Sequence, residues 1–424
     1  MGGGPWYWIY NVVLHLGALV CLPFWLFVRI VRGRYKGQFR ERMGILEDRV
    51  TAAFGGRPAV WIHAASAGET AAAAPLVRRL RAAFPDSPFL FTVTSRYGKE
   101  MAERRLSEWV DAICFSPLDL PLFCRRFVAR VRPALYVMVE TDLWPNLVRL
   151  VKARDGQVVV ASGHAGPRTF PRGFWRAVLR HVDLFLMQTD VDARHIIARG
   201  ARADRVEVFG NLKFDGSGAP AGADALPGLR TDFGLPDGPV LVAGSTLAED
   251  EAPVLDAVAR TRRDGVDLRA IVAPRRQERV PEVEKACEAR GLSCARRTAG
   301  GGGEVLILDT MGELARSYNL ASVAYVGGGL TPEVGLHNLI EPLVCGVPVL
   351  FGPHQGKAKK VAAELLDNGA GVEVKSASEL AARVRQVLKD GGFRSRLAEA
   401  GARVLARHRG AAERQVRRLQ EFLA

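Results

Sequence analysis

From residue 59 onward the chain alternates short apolar runs with longer segments in which apolar residues recur every three or four positions. AVWIHAA (59–65), FLFTVTS (89–95), ALYVMVE (134–140) and QVVVASG (157–163) read as strands. Between them SAGETAAAAPLVRRLRAAF, YGKEMAERRL and WPNLVRLVKARDG carry the spacing of amphipathic helices. Strands that alternate with helices predict a parallel sheet with helices on both faces, and near-continuous apolar strands fit burial on both sides. Residues 216–228, GSGAPAGADALPG, are small and nearly uncharged, the composition of a flexible linker. The same grammar then restarts with PVLVAGS (239–245), the helix EDEAPVLDAVARTRRDG, LRAIVAP (268–274), EVLILDT (304–310), SVAYVGG (322–328) and PVLFGP (348–353). The pattern predicts an α/β fold of two Rossmann-like domains, at 31–215 and 216–424, with strand carboxyl ends facing a cleft between them. The stretch from Ser376 onward is helical and Arg-rich, and it is available to cross back and brace the first domain.

The start of the chain has a different pattern. Residues 5–28 contain no Lys, Arg, Asp or Glu, and ~20 apolar residues are enough to cross a bilayer core. Trp6, Tyr7 and Trp8 suit an interfacial aromatic belt, and Arg29, Arg32, Arg34 and Lys36 follow the apolar run. Residues 1–30 are therefore expected to form an N-terminal membrane-anchor helix, with the remaining chain on the cytoplasmic side of the membrane. A signal peptide carries its basic residues before the apolar run, and here they come after it. Asn11, His15 and Pro23 interrupt the run, which leaves open a buried hairpin or a helix lying in one leaflet.

Charge adds a partner class. The 424 residues carry a formal net charge of +14, which calls for an anionic partner. No zinc finger, basic zipper or RNP-like motif is present, so nucleic acid is not that partner. An acidic membrane surface and phosphorylated substrates remain. Cys21, Cys114, Cys124, Cys287, Cys294 and Cys345 are scattered without a CxxC pair, the usage of a reducing compartment. No HExxH, Walker A or GxSxG pattern occurs, so no metal or other cofactor is expected.

Five segments hold candidate chemistry. In WIHAASAGE, Glu69 follows a strand-to-helix turn of small residues that lets a substrate approach the backbone. Glu69 can act as a base there or merely cap the helix. In ETDLWPN (140–146), Glu140 and Asp142 offer a second carboxylate or local hydrogen bonding. Arg275 in IVAPRRQER stands just past a strand end, where its planar fork suits a phosphate. Glu341 opens a helix after the loop VGGGLTPEVGLHN, placed to accept hydrogen bonds from ribose hydroxyls. GRYKGQFRERMG (33–44), with Lys36, Arg40 and Arg42, would lie at a membrane surface and meet lipid phosphates.

Taken in order, GRYKGQFRERMG, WIHAASAGE, SPLDLPLFCRRFVARVRPALYVMVETDLWPN, GNLKFD (210–215), AGST (243–246), APRRQER, DTMGELARSY (309–318) and VGLHNLIEPLVCGVPVLFGP resemble the Kdo transferases of bacterial lipopolysaccharide synthesis. The resemblance runs over nearly the whole chain. It implies a GT-B fold and an inverting, metal-independent transfer of Kdo from CMP-Kdo to a phosphorylated lipid A precursor. It implies Glu69 as general base and Glu140 as a second functional acid. Ser245, Arg275, Gly312, Asn338 and Glu341 would hold the CMP-sugar donor, and Lys36, Arg40 and Arg42 the acceptor. Leu247, Arg276, Gln277 and Leu336 stand where the family has His, His, Pro and Gly. Those departures keep two alternatives in view, a related transferase with another donor or acceptor and a non-catalytic membrane scaffold.

Overall fold

A computed structural model describes residues 5–31, 38–140, 142–166, 172–216 and 220–423. The chain divides into two compact units, residues 1–216 with 408–424 and residues 217–407. The first holds strands β1 (Ala59–Ala64), β2 (Phe89–Val93), β3 (Ala112–Phe115), β4 (Pro133–Val139), β5 (Gln157–Gly163), β6 (Leu184–Met187) and β7 (Val206–Val208). They form one parallel sheet in the order β3-β2-β1-β4-β5-β6-β7. The second unit holds β8 (Val240–Thr246), β9 (Arg269–Pro274), β10 (Cys294–Arg296), β11 (Val305–Ile307), β12 (Val323–Val326), β13 (Val349–Phe351) and β14 (Gly371–Glu373). Its parallel order is β10-β11-β9-β8-β12-β13-β14. Two Rossmann-like units follow, as the alternating pattern predicts.

Burial on both faces explains the apolar strands. Along β1, Val60, Ile62 and Ala64 enter one core with Leu76, Val77 and Leu80 of the helix Ala67–Ala83. Ala59 and Trp61 enter the opposite core with Phe127, Val148 and Val151. In β8, Leu241 and Ala243 share a core with Val254 and Val258, while Val240 and Val242 pack toward Phe233 and Tyr318. Each Val, Leu, Ile or Phe among these that is removed from water contributes roughly 1.5–3 kcal/mol before entropy is counted.

The second unit is shorter than the expected 216–424, because its last contribution is Arg407. The helix Ala411–Leu423 adds Val416 and Leu419 to the first core instead. The Asp215 carboxylate fastens its start by accepting the Gly410 and Ala412 N–H groups, each at 2.7 Å. The Arg-rich tail thus crosses back, but only over its final turns. The linker is also less open than its composition predicts. Ala223–Ala225 is a 3-10 turn, and the helix Leu226–Asp232 begins inside the predicted linker with Pro227 in its first turn.

The expected anchor is corrected in a physical way. Pro5–Val31 is one 27-residue helix, but its first turns dock on the first unit. Tyr7 is 3% exposed and stacks edge-on with His181, with ring centroids 6.0 Å apart. Tyr10 donates its hydroxyl to Asp119 at 2.9 Å, and the Asn11 and Asn146 side-chain amides exchange hydrogen bonds at 2.7 and 3.1 Å. Of the residues that interrupt the apolar run, Asn11 therefore binds the domain, whereas His15 Nδ1 lies 2.6 Å from the Asn11 carbonyl oxygen of its own helix. Among the described residues, no helix is long and apolar enough to cross a membrane.

Candidate active site

In both sheets the strand order reverses beside the first strand of the unit. β1 lies between β2 and β4, and β8 between β9 and β12. Open α/β sheets bind ligands beyond the carboxyl ends of the strands at such a switch point. Three non-glycine residues there hold left-handed backbone: Glu140 after β4 at φ +64°, Ser162 in β5 at +51° and Ser245 in β8 at +55°. Such conformations cost roughly 1–3 kcal/mol and collect at functional sites.

Glu69 stands in the first turn of the helix that follows β1. Ser66 caps that helix by accepting the Glu69 N–H. The carboxylate answers by accepting the Ala65 N–H at 2.7 Å and the Ser66 hydroxyl at 2.9 Å. Glu69 thus ties the helix start to the Ala65 N–H before the N-cap, so the structural role foreseen for Glu69 is present. A carboxylate offers about four acceptor positions, and the two local bonds leave capacity for a substrate hydroxyl. The side chain is partly exposed.

Glu140 has charged company. Its Oε1 lies 2.6 Å from Lys213 Nζ, and its Oε2 lies 3.4 Å from His164 Nε2. Burial pushes the Glu140 pKa up, but the His164 hydrogen bond and the Lys213 charge more than offset it and hold the carboxyl down to about 2. The acid is thus a fixed anion and a poor proton acceptor at neutral pH. Asp142 turns elsewhere and accepts from His63 Nε2 at 3.1 Å and from the Trp144 indole at 3.0 Å. The His63 Nδ1 lies 2.9 Å from Thr92 Oγ1, which also accepts the Trp61 indole N–H at 2.8 Å. A His63 protonated on Nε2 satisfies all of these bonds, with the Thr92 hydroxyl donating to Nδ1.

The basic segment near residue 40 divides. Lys36 lies outside the described residues. Arg40 is exposed. Arg42 is built into the fold, donating to the Thr94 carbonyl at 2.5 Å with its guanidinium 4.8 Å from the Phe115 ring centre. Its neighbour Glu41, 5% exposed, accepts the Phe115 N–H at 2.7 Å and pairs with Lys99 at 3.3 Å. Arg42 thus holds its segment to the ends of β2 and β3.

In the second unit Ser245 sits between two tight approaches. A β-carbon on Gly244 would collide with the Tyr318 hydroxyl, and one on Gly327 would come 2.6 Å from the Ser245 carbonyl oxygen. Asp250, 1% exposed, ties this junction together. It accepts the Leu247 N–H at 2.9 Å, the Gly328 N–H at 2.8 Å and the Tyr325 hydroxyl at 2.6 Å. Burial pushes its pKa up. Gly328, at φ +90°, is pressed against the Gly335 carbonyl, which leaves no room for a side chain.

Arg275 is exposed just past β9, its N–H bonded to the Thr246 carbonyl at 2.9 Å. It lies near His337, whose pKa is lowered first by burial and then by the Arg275 charge. The His337 Nε2 is buried without a hydrogen-bond partner among the described residues. Asn338 donates to Glu341 at 3.0 Å and accepts the Ile340 N–H at 3.0 Å, which brings these two predicted residues together. Gly312, at φ +90°, is exposed before a helix of only one turn, Leu314–Ser317, rather than a longer one. The arrangement offers a guanidinium, an imidazole, an amide and a carboxylate around loops that follow β9 and β12.

His63, His164, Lys213, Asp250 and His337 were not singled out from the sequence. His63, Lys213 and His337 did lie inside quoted motifs, WIHAASAGE, GNLKFD and VGLHN, and that was the available signal. Asp250 is the third residue of its helix, Ala248–Arg263, and is indistinguishable in sequence from the neighbouring acids Glu249 and Glu251.

Comparison with known proteins agrees with this geometry. Residues 37–216 match the family model of 3-deoxy-D-manno-octulosonic-acid transferase (kdotransferase), and residues 288–404 match that of glycosyl transferases group 1. The chain is similar to the 3-deoxy-D-manno-octulosonic acid transferase of Bordetella pertussis, 30% identical over 98% of this chain and 99% of that one. It is also similar to the enzyme of the same name from Haemophilus influenzae, 29% identical over 99% of each. A solved glycosyltransferase from Rickettsia africae shares the fold, with a TM-score of 0.56 at 10% identity over 87% of this chain and 99% of that one. The chain is a transferase enzyme and belongs to the 3-deoxy-D-manno-octulosonic acid transferase family.

Proposed function

We propose that this enzyme moves Kdo from CMP-Kdo to a glucosamine hydroxyl of a phosphorylated, acylated lipid A precursor in lipopolysaccharide synthesis, with inversion and without a metal or other cofactor. The observation that carries this reading is the 30% identity to the Bordetella pertussis transferase over 98% of the chain. The acceptor oxygen attacks the anomeric carbon as the bond from that carbon to the CMP phosphate breaks. Glu69 takes the hydroxyl proton, a contribution of ~10²–10⁴-fold for a positioned base. CMP leaves with the electron pair of the broken bond. Arg275 neutralises the phosphate charge that grows as CMP leaves. Asn338 and Glu341 hold the cytidine nucleotide, with the Ser245 and Gly312 backbones shaping their loops. Arg40, with Lys36, meets phosphates of the acceptor.

The enzyme works at the cytoplasmic face of the inner membrane. Supporting this, Trp8, Val13, Leu16, Leu19 and Val20 of the first helix are exposed while Tyr7 is buried on the domain. A helix with one docked side and one apolar exposed side rests in the lipid interface rather than crossing it.

Leu336, 6% exposed, and Leu247, at the start of the helix Ala248–Arg263, favour a second reading in which the donor or acceptor differs. Competition among CMP-, UDP- and GDP-sugars in one transfer assay separates the two. Preference for the CMP-sugar supports Kdo transfer, and turnover confined to a UDP- or GDP-sugar selects the alternative.

A further inference from the structure

The helix Pro121–Val131, PLFCRRFVARV, has two faces of opposite character. Cys124, Phe127, Val128 and Val131 are buried in the core that also holds Trp61 and Tyr136. Their spacing of three and four residues leaves the other face to Leu122, Arg125, Arg126, Ala129 and Arg130, all of them exposed. Leu122 and Ala129 lie two turns apart along one line, with Arg125 on one flank and Arg126 and Arg130 on the other. The helix contains no Asp or Glu, so nothing within it neutralises the three guanidinium groups.

Three arginines alone would suit a face that meets only water. The leucines beside them connect instead with the apolar side of the first helix. Leu122 is 54% exposed, and Leu118, in the segment that leads into the helix, is 44% exposed. Asp119, the residue after Leu118, accepts the Tyr10 hydroxyl of the first helix at 2.9 Å. Asn146 donates to the Asp119 carbonyl at 2.7 Å and exchanges hydrogen bonds with Asn11. The first helix is thus fastened at the start of Pro121–Val131, with Trp8, Val13, Leu16, Leu19 and Val20 left exposed. The Arg42 carbonyl accepts the Leu118 N–H at 2.9 Å, which fastens the basic segment near residue 40 to the same place. All of these residues belong to the first unit.

We propose that the exposed face of Pro121–Val131 is a second membrane-contact surface, on which Leu118 and Leu122 enter the acyl boundary of an anionic leaflet and Arg125, Arg126 and Arg130 meet its lipid phosphates. The inference rests on the reading that the enzyme works at a membrane face. Arginine suits this place, because its apolar stem lies along the hydrocarbon boundary while its planar fork reaches phosphate oxygens. An apolar ridge between basic flanks is the pattern of a helix that lies in the interface plane. Contact through two elements also has a consequence that one element lacks. A single amphipathic helix leaves the domain free to swivel about it, whereas two joined contacts fix which side of the first unit faces the bilayer.

Vesicle partitioning of the full chain tests it, with vesicles of phosphatidylglycerol mixed with phosphatidylcholine and vesicles of phosphatidylcholine alone. Arg125→Gln, Arg126→Gln and Arg130→Gln together are expected to lower partitioning onto the anionic vesicles by about 100-fold, since each basic residue near an anionic leaflet contributes about 5-fold. Added salt should weaken wild-type binding to those vesicles and affect the triple variant less. Leu118→Ser with Leu122→Ser should weaken binding to both kinds of vesicle. Transfer to a detergent-dispersed acceptor should stay near wild type in both variants, which separates docking from catalysis. Wild-type partitioning onto anionic vesicles by the folded triple variant overturns the inference while leaving the membrane reading in place. A higher KM for the detergent-dispersed acceptor with unchanged vesicle binding also overturns it, and assigns the arginines to the substrate instead. A wild-type chain that binds neither kind of vesicle rejects the membrane reading and the inference with it.

Discussion

Asp119 and Glu140 are both buried carboxylates of the first unit, 3% and 9% exposed, and their environments have opposite effects. Among the described residues Asp119 accepts from neutral donors, namely the Asn146 and Leu147 N–H groups at 3.0 and 2.9 Å, the Tyr10 hydroxyl at 2.9 Å and the Cys124 thiol at 3.5 Å. Burial wins over these bonds and pushes its pKa up to about 6. At Glu140 the same burial loses to His164 and Lys213, and the pKa falls to about 2. The difference teaches that depth alone does not mark a functional acid. Asp119 clamps the first helix to the domain, whereas Glu140 holds a cation in place on the rim of a strand end.

Glu69 is the hardest case for that contrast. Its partners among the described residues are neutral, as those of Asp119 are, yet it is partly exposed at the switch point. Glu69→Gln keeps the accepting oxygen and most of the cap but cannot take a proton. Transfer is expected to fall by ~10²–10⁴-fold while CMP binding, read by titration, stays near wild type. An unimpaired variant would place Glu69 with Asp119 as scaffold.

The next effect is on stability, and its sign differs between the two acids. Asp119 has its pKa raised from 3.8 to about 6. Its protonated form favours the fold below about pH 4, and that contribution is lost as pH rises through about 6. Glu140 has its pKa lowered from 4.5 to about 2. Its contribution is present above about pH 4.5 and lost as pH falls through about 2. Each is about 3 kcal/mol at most by the shift alone. Denaturant unfolding across pH should show the pH 4–6 limb flatten in Asp119→Asn and the pH 2–4.5 limb flatten in Glu140→Gln. Identical profiles in both variants would erase the distinction.

The smallest effect is local. Ser66→Ala removes the N-cap acceptor and one donor to Glu69, and is expected to cost about 1 kcal/mol in thermal or denaturant unfolding. A loss of transfer well beyond that stability change would show that the Ser66 cap also aims the Glu69 carboxylate.

Much of this was legible in the sequence, for reasons that the exceptions make clear. Strands β1, β2, β4, β5, β8 and β9 are buried on both faces and therefore read as long apolar runs. The β3, β7, β10 and β14 strands close the sheet edges, where three or four residues suffice and no period can show. The local pairs Ser66 with Glu69 and Asn338 with Glu341 follow from helix starts, so their spacing reveals them. His63 with Asp142, and Glu140 with Lys213, join residues far apart in the chain, and only the folded sheet brings them together. The first helix misled in an instructive way. Its apolar content was real, but Tyr7, Tyr10 and Asn11 serve a docking face rather than an aromatic belt. Arg42 was likewise read as a surface charge, and it holds Thr94 and Phe115 instead.

The most direct test of the central claim is mass spectrometry of a tetraacylated lipid A precursor incubated with the purified full-length enzyme and CMP-Kdo generated in situ. The account requires the acceptor to gain the mass of one or more Kdo residues, with the gain lost in Glu69→Gln. Folded wild-type protein that leaves the acceptor mass unchanged, while accepting another nucleotide sugar, would contradict it.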